Sequence, residues 1–143
     1  MEIHFIKKTD LTPTIESQIQ ILFSELSDIQ TTPVEKLFQL AEPPHIVICT
    51  DENKIVGMAT MAVYEVISGR KAWIEDVVVS SNHRKRGIGE RLVQSLIEKA
   101  KELEVNTLLL YSNPKREAAH RLYKRMGFSE KDSTLFALSI QNN

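Results

Sequence analysis

Residues 77–89, Val77-Val78-Val79-Ser80-Ser81-Asn82-His83-Arg84-Lys85-Arg86-Gly87-Ile88-Gly89, lead from an apolar strand through a basic, glycine-bearing turn into a helix. At such a junction the first backbone N–H groups of the helix lack intrahelical acceptors, and the helix dipole adds partial positive charge. The turn therefore suits an anion, above all a phosphate. Gly87 and Gly89 keep side chains away from the backbone, while Arg84, Lys85 and Arg86 supply full charges. Two familiar phosphate loops do not fit. A Walker loop needs Gly-Lys-Ser/Thr where Glu90-Arg91 stands, and a Rossmann fingerprint needs a third glycine where Leu92 stands. The plainer reading of the stretch is a helix N-terminus behind a flexible turn.

Charge distribution bears on that choice. The net charge of −1 conceals a segment, residues 84–125, with eleven of the 18 Lys and Arg and five of the 19 acids. That segment carries +6 and the remainder −7. Such a segment is either a pair of solvated helices or a basic face for an anionic ligand. With 143 residues, 42% apolar and 26% charged, the composition is that of one globular domain over residues 1–143. No apolar run reaches the ~18–20 residues that span a bilayer, and the N-terminus lacks a signal-peptide core. One cysteine, Cys49, excludes an internal disulfide and a thiolate-rich zinc site, and a cytoplasmic protein is expected.

The elements that position the loop are legible in the patterning. Ile3 to Ile6 reads as a strand, and Thr12-Pro13 opens a helix with Ile15, Ile19, Leu22, Phe23 and Leu26 on one stripe. Thr32-Pro33-Val34-Glu35 predicts a capping box and a helix through Leu40. Strands follow at Ile46–Cys49, Ile55–Val66 and Ala72–Val79, the first two joined through the turn residues Asp51 to Lys54. Val77-Val78-Val79 suits a sheet centre covered on both faces. Gly87 to Glu104 is the clearest helix, with Ile88, Leu92, Val93, Leu96, Ile97, Ala100 and Leu103 on one stripe. A buried strand, Thr107 to Tyr111, precedes a helix from about Arg116 to Met126, with Ala119, Leu122, Tyr123 and Met126 inward and Gly127 as its stop. Thr134 to Ile140 alternates as a last strand. The order β-α-α-β-β-β-α-β-α-β predicts an α/β (α+β) mixed sheet with helices packed on it.

A second segment, Arg116-Glu117-Ala118-Ala119-His120-Arg121-Leu122-Tyr123-Lys124-Arg125-Met126-Gly127-Phe128, joins the first in a named resemblance. Together they resemble the GCN5-related N-acetyltransferase (GNAT) family. Its pyrophosphate loop, Arg/Gln-x-x-Gly-x-Gly/Ala, is met by Arg84, Gly87 and Gly89. Its later Ala-x-x-x-Tyr-x-x-x-Gly-Phe is met by Ala119, Tyr123, Gly127 and Phe128, with a strand between the two motifs. The resemblance implies a GNAT fold and acetyl transfer from acetyl-CoA to an amine, a small molecule or a peptide. It assigns the pantetheine arm and thioester carbonyl to the backbone of Val77, Val78 and Val79. The pyrophosphate falls to Arg84, Lys85, Arg86, Gly87, Ile88, Gly89 and Glu90. Tyr123 is then the acid for the leaving thiolate, a phenol near pKa 10 facing a thiol near 8.5. The alternative for Tyr123 is a packed core residue.

Ile74-Glu75-Asp76-Val77-Val78-Val79 resembles the corresponding strand of the glucosamine-6-phosphate N-acetyltransferase branch. Glu75 or Asp76 would orient the amine or take its proton through water. Adjacent strand residues face opposite sides, so one of them points at the amine unless a bulge re-aims the other. Many members of the family carry Asn seven residues before the tyrosine, where this chain has Arg116. Asn113 stands three residues earlier as a substitute, and Arg116 would reach an acidic part of the acceptor or a CoA phosphate. The acceptor itself is expected against residues 12–40 and the Glu65-to-Trp73 hairpin, where no motif lies. The resemblance further suggests a homodimer.

Other residues take the plain reading. Cys49 lies in an apolar strand as a small core residue. His4, His45, His83 and His120 fall at no metal-ligand spacing, so no metal is expected. Trp73 reads as packing or a pocket wall. With 6% aromatic residues and no recognisable nucleic-acid fold, neither nucleic acid nor a membrane is expected as partner. The rival to an enzyme is a module that binds acyl-CoA without turning it over.

Overall fold

The computed structural model describes residues 1–140. The chain forms two compact units, Met1–Tyr111 and the residues from Ser112 onward. The first holds a five-stranded sheet in the order β1 (Glu2–Phe5), β2 (His45–Asp51), β3 (Lys54–Val66), β4 (Gly69–Val79) and β5 (Thr107–Leu109). Neighbours are antiparallel except β4 and β5, which run parallel. Glu52 and Asn53, both at positive φ, make the two-residue turn of the β2–β3 hairpin, the conformation that matches strand twist.

Three helices cover this sheet. In α1 (Pro13–Ser24), Thr12 caps the start by accepting the Ile15 N–H at 3.1 Å, with Pro13 at the first helical position. α1 and the single turn α2 (Val34–Leu37) bury Ile19, Leu22 and Val34 against Ile46, Ile48, Ile55, Met58 and Val78. α3 (Ile88–Glu102) packs against β2, β3 and β4 on the other face, where Val47, Cys49, Ala59, Met61, Leu92, Val93 and Leu96 are wholly enclosed. Cys49 is thus a core residue, and burial pushes its thiol pKa up.

Three expectations are corrected. The helix foreseen through Leu40 is a single four-residue turn that ends at Leu37, and the capping box does not form. The Glu35 N–H that Thr32 would accept instead bonds the Glu16 carboxylate of α1 at 3.1 Å. Thr107 to Tyr111 is a three-residue strand, and that strand is half-buried. Thr134 to Ile140 is not a strand: it carries no ladder, and Leu135, Phe136, Leu138 and Ile140 are exposed. Alternation describes a chain able to pair, and pairing needs a neighbouring edge in register.

The second unit holds α4 (Glu117–Arg125). Ala119, Leu122, Tyr123 and Met126 are half-buried along one face while the charged residues are exposed. Gly127 ends it at φ 103°, with its N–H on the Lys124 carbonyl and that of Phe128 on Tyr123, a left-handed stop that glycine adopts without strain. Among the described residues no helix is long and apolar enough to cross a membrane.

Candidate active site

The two candidate carboxylates lie on an interruption of β4. Met58 pairs with Val78 and Thr60 with Glu75, so β4 carries one residue more than β3 between these pairs. Asp76 takes the extra length at φ 53°, a left-handed conformation that aspartate and asparagine adopt more readily than most residues other than glycine. The Thr60 hydroxyl donates to the Glu75 carbonyl at 3.0 Å and lies 3.4 Å from Asp76 Oδ2. The bulge removes the strict alternation that would send the two carboxylates to opposite faces. Burial raises the pKa of Glu75, and the Asp76 charge raises it further. Burial also raises that of Asp76, opposed by the hydrogen bond from Thr60.

On its other edge β4 loses its partner. The parallel ladder with β5 ends at the pair Trp73 and Leu109, and among the described residues Ile74–Val79 have no strand beside them there. Alternate backbone N–H and C=O groups of this stretch are therefore free of ladder bonds. Val78 is buried, but Val77 and Val79 are half-buried, so this end of β4 is not the doubly covered sheet centre that its apolar run suggested. Trp73 meets Tyr111 edge-to-face where the ladder ends, with ring centroids 5.9 Å apart.

β4 runs on into the basic loop. Ser80 donates its N–H to the Val56 carbonyl at 2.8 Å, and a 3₁₀ turn, Ser81–His83, follows. Arg84 Nε donates to the Val79 carbonyl at 3.3 Å. Lys85 at φ 64° and Gly87 at φ 75° curl the chain into α3. Arg84, Lys85, Arg86 and Glu90 are exposed, while Ile88 is fully buried and anchors the helix start. Gly87 is the N-cap, no side chain caps this end, and the first intrahelical bond runs from the Arg91 N–H to the Gly87 carbonyl. The amides of Ile88, Gly89 and Glu90 thus have no acceptor within the helix. A Cβ on Gly87 would meet nothing within 4 Å, so its backbone conformation is what calls for glycine there.

Sequence reasoning passed over Gly57, which seats this helix. A Cβ on Gly57 would stand 2.9 Å from Ile88 Cγ2 and 3.2 Å from Leu92 Cδ1. A glycine inside an otherwise regular strand pattern is the signal that pointed to it. We expect Gly57→Ala to lower unfolding free energy by about 1–3 kcal/mol through overpacking, read from urea denaturation. An unchanged midpoint would mean that Ile88 yields freely.

In the second unit, Asn113 Oδ1 accepts the Lys115 N–H at 2.9 Å and the Asn113 carbonyl accepts that of Arg116, also at 2.9 Å. Asn113 thereby shapes the turn into α4, and Arg116 is its exposed N-cap. Tyr123 packs edge-to-face on Phe128 at 5.9 Å. Burial raises the Tyr123 pKa, opposed by the Arg116 charge. Among the described residues no group of three or more His, Cys, Asp or Glu is gathered as a metal site.

The model of the acetyltransferase (GNAT) family matches residues 15–128. The chain belongs to that family. Across 108 residues the GNAT chain is 40% identical to a probable glucosamine 6-phosphate N-acetyltransferase 2 of Oryza sativa subsp. japonica, covering 73% of this chain and 61% of the rice protein. It thus spans less than two thirds of that relative's length. An aminoglycoside acetyltransferase from an uncultured soil metagenomic sample, in complex with trehalose, superposes with a TM-score of 0.82 at 22% identity, over 98% of this chain and 96% of the other. Glucosamine-6-phosphate N-acetyltransferase from Arabidopsis thaliana superposes with a TM-score of 0.76 at 19% identity, over 96% and 97%. At such identities the structural likenesses establish the fold, a mixed sheet of the GNAT type.

Proposed function

We propose that this chain transfers acetyl from acetyl-CoA to a primary amine by direct attack. The observation that carries the reading is the continuity of three features in a chain of this family. These are a bulged β4 bearing two carboxylates, an edge of that strand without a partner, and an uncapped helix start in a basic loop. The pyrophosphate is held by the amides of Ile88, Gly89 and Glu90, by the Gly87 turn, and by Arg84, Lys85 and Arg86. Asn113 and Arg116 supply further coenzyme contacts. The free backbone of Val77, Val78 and Val79 takes the pantetheine arm, and one N–H there polarises the thioester carbonyl. Preorganised donors of this kind contribute most where charge develops in acyl transfer.

Glu75 or Asp76 orients the ammonium and takes its proton through water, and the free amine then attacks the carbonyl carbon. The C–S bond breaks as the tetrahedral oxyanion collapses, and Tyr123 gives its proton to the departing thiolate. The proton that the nitrogen loses in becoming an amide restores the phenol. The −7 charge outside residues 84–125, which includes Glu75 and Asp76, favours a cationic acceptor. Among such amines the rice relative favours an amino sugar over a peptide amine. The lone, buried Cys49 suits a reducing compartment such as the cytoplasm, and assembly as a homodimer follows the family.

Thiol release measured across amino sugars and their phosphates, aminoglycosides, polyamines, amino acids and peptides tests this reading. Turnover is expected with at least one amino sugar. Acetyl-CoA at a hundred times its Kd should also raise stability by about 2.7 kcal/mol. Stabilisation without turnover on any acceptor would make the chain a coenzyme-binding module, and neither effect would remove the reading.

A further inference from the structure

The basic loop is held from behind by two carboxylates that belong to neither family motif. Glu25, the C-cap of α1, accepts the Ser81 N–H through Oε1 at 3.1 Å. Asp51, the last residue of β2, places Oδ2 3.4 Å from His83 Nε2. Ser81 and His83 are the two ends of the 3₁₀ turn that separates β4 from Arg84. That turn is closed by the His83 N–H on the Ser80 carbonyl at 2.9 Å. His83 Nδ1 is enclosed and has no partner among the described residues, and the ring is half-buried, so it is seated against the protein. Residues 80, 81 and 83 are thus each tied to the body of the unit, by β3, α1 and β2 respectively. The exposed cations Arg84, Lys85 and Arg86 follow directly.

A loop of mutually repelling cations would otherwise open. Ordering it only when the anion arrives would cost conformational entropy at the moment of binding. We propose that Glu25 and Asp51 are positioning residues that hold the Ser81–His83 turn, so that residues 84–90 are already shaped for the coenzyme's pyrophosphate. The inference rests on the acetyl-CoA reading above. Geometry and charge act in opposite directions here. A carboxylate behind the loop weakens the pull on a phosphate, so a purely electrostatic role would make its removal tighten binding.

Acetyl-CoA titration by calorimetry, with steady-state kinetics on the full chain, separates the two. In Glu25→Ala the Kd and KM for acetyl-CoA should rise about fivefold or more, as for the loss of one ordinary exposed hydrogen bond, with kcat within about twofold. Glu25→Gln keeps an oxygen that accepts from Ser81 and should bind as the parent does. Ser81→Pro removes the donor itself. Ser80, at φ −51° and ψ 139°, already has a conformation that tolerates a following proline. This variant should match Glu25→Ala and add nothing to it, and it serves equally if Glu25→Ala folds poorly. Asp51→Ala should weaken binding in the same sense. Parent-like or tighter binding by Glu25→Ala and Ser81→Pro, or a Glu25→Gln as weak as Glu25→Ala, overturns the proposal. A parent chain that binds no acetyl-CoA overturns the functional reading with it, and the same titration distinguishes the two failures.

Discussion

Replacing Tyr123 with phenylalanine is expected to lower kcat at least about tenfold while leaving the KM for acetyl-CoA within about twofold. The phenol has the proton that a departing thiolate needs. Burial raises its pKa, so it remains protonated throughout the neutral range. Phenylalanine preserves the edge-to-face contact with Phe128 and the half-buried face of α4, so the variant should fold with an unchanged melting temperature. The loss should shrink for a thioester whose thiol has a lower pKa, because a better leaving group depends less on an acid. Equal kcat for variant and parent would return Tyr123 to a packing role.

The loop and α4 were legible because their information is local. Glycine at 87 and 127 reports a backbone conformation, the stripe along Ile88 to Ala100 reports a buried face, and Thr12-Pro13 reports a helix start. What escaped depends on residues distant in sequence. The bulge at Asp76 exists only through the register of β3 with β4, and its hydrogen bond comes from Thr60, sixteen residues away. Alternation raised the question of which carboxylate faces the amine, and only the pairing supplies the extra residue that removes it. The capping box at Thr32 failed to form for the same reason, since Glu16 takes the amide from another helix. Glu25 reaches Ser81 across 56 positions of sequence, without any pattern that could announce it. The strand expected at Thr134–Ile140 shows the converse. Apolar alternation there is plain, and among the described residues it forms no ladder.

Glu75→Gln and Asp76→Asn give the other large effect, and the pH dependence separates their roles. Asparagine tolerates the left-handed conformation of residue 76, so Asp76→Asn removes charge without adding backbone strain. A carboxylate that takes the ammonium proton must be ionised. Both pKa values are raised by burial, so the acid limb of kcat/KM should lie above the ordinary carboxylate range. Whichever group is the base, its neutral variant should lose about 10²-fold in kcat/KM at neutral pH and lose that limb. The other variant should retain the limb. Loss of Asp76 should also shift it to lower pH if Glu75 is the base, since the Asp76 charge is one of the causes that raise Glu75. Stability should move the opposite way. A carboxyl whose folded pKa is raised favours the folded state most below its unfolded pKa. That advantage disappears as pH rises through the folded value, leaving an ionised group held at a cost. At pH 7 Glu75→Gln should therefore be at least as resistant to urea as the parent, and the difference should fade below about pH 4, under the unfolded carboxylate value. A variant less stable and equally active would mean that the carboxylate serves the fold. One more stable and far less active marks a site where burial of charge is maintained for the reaction.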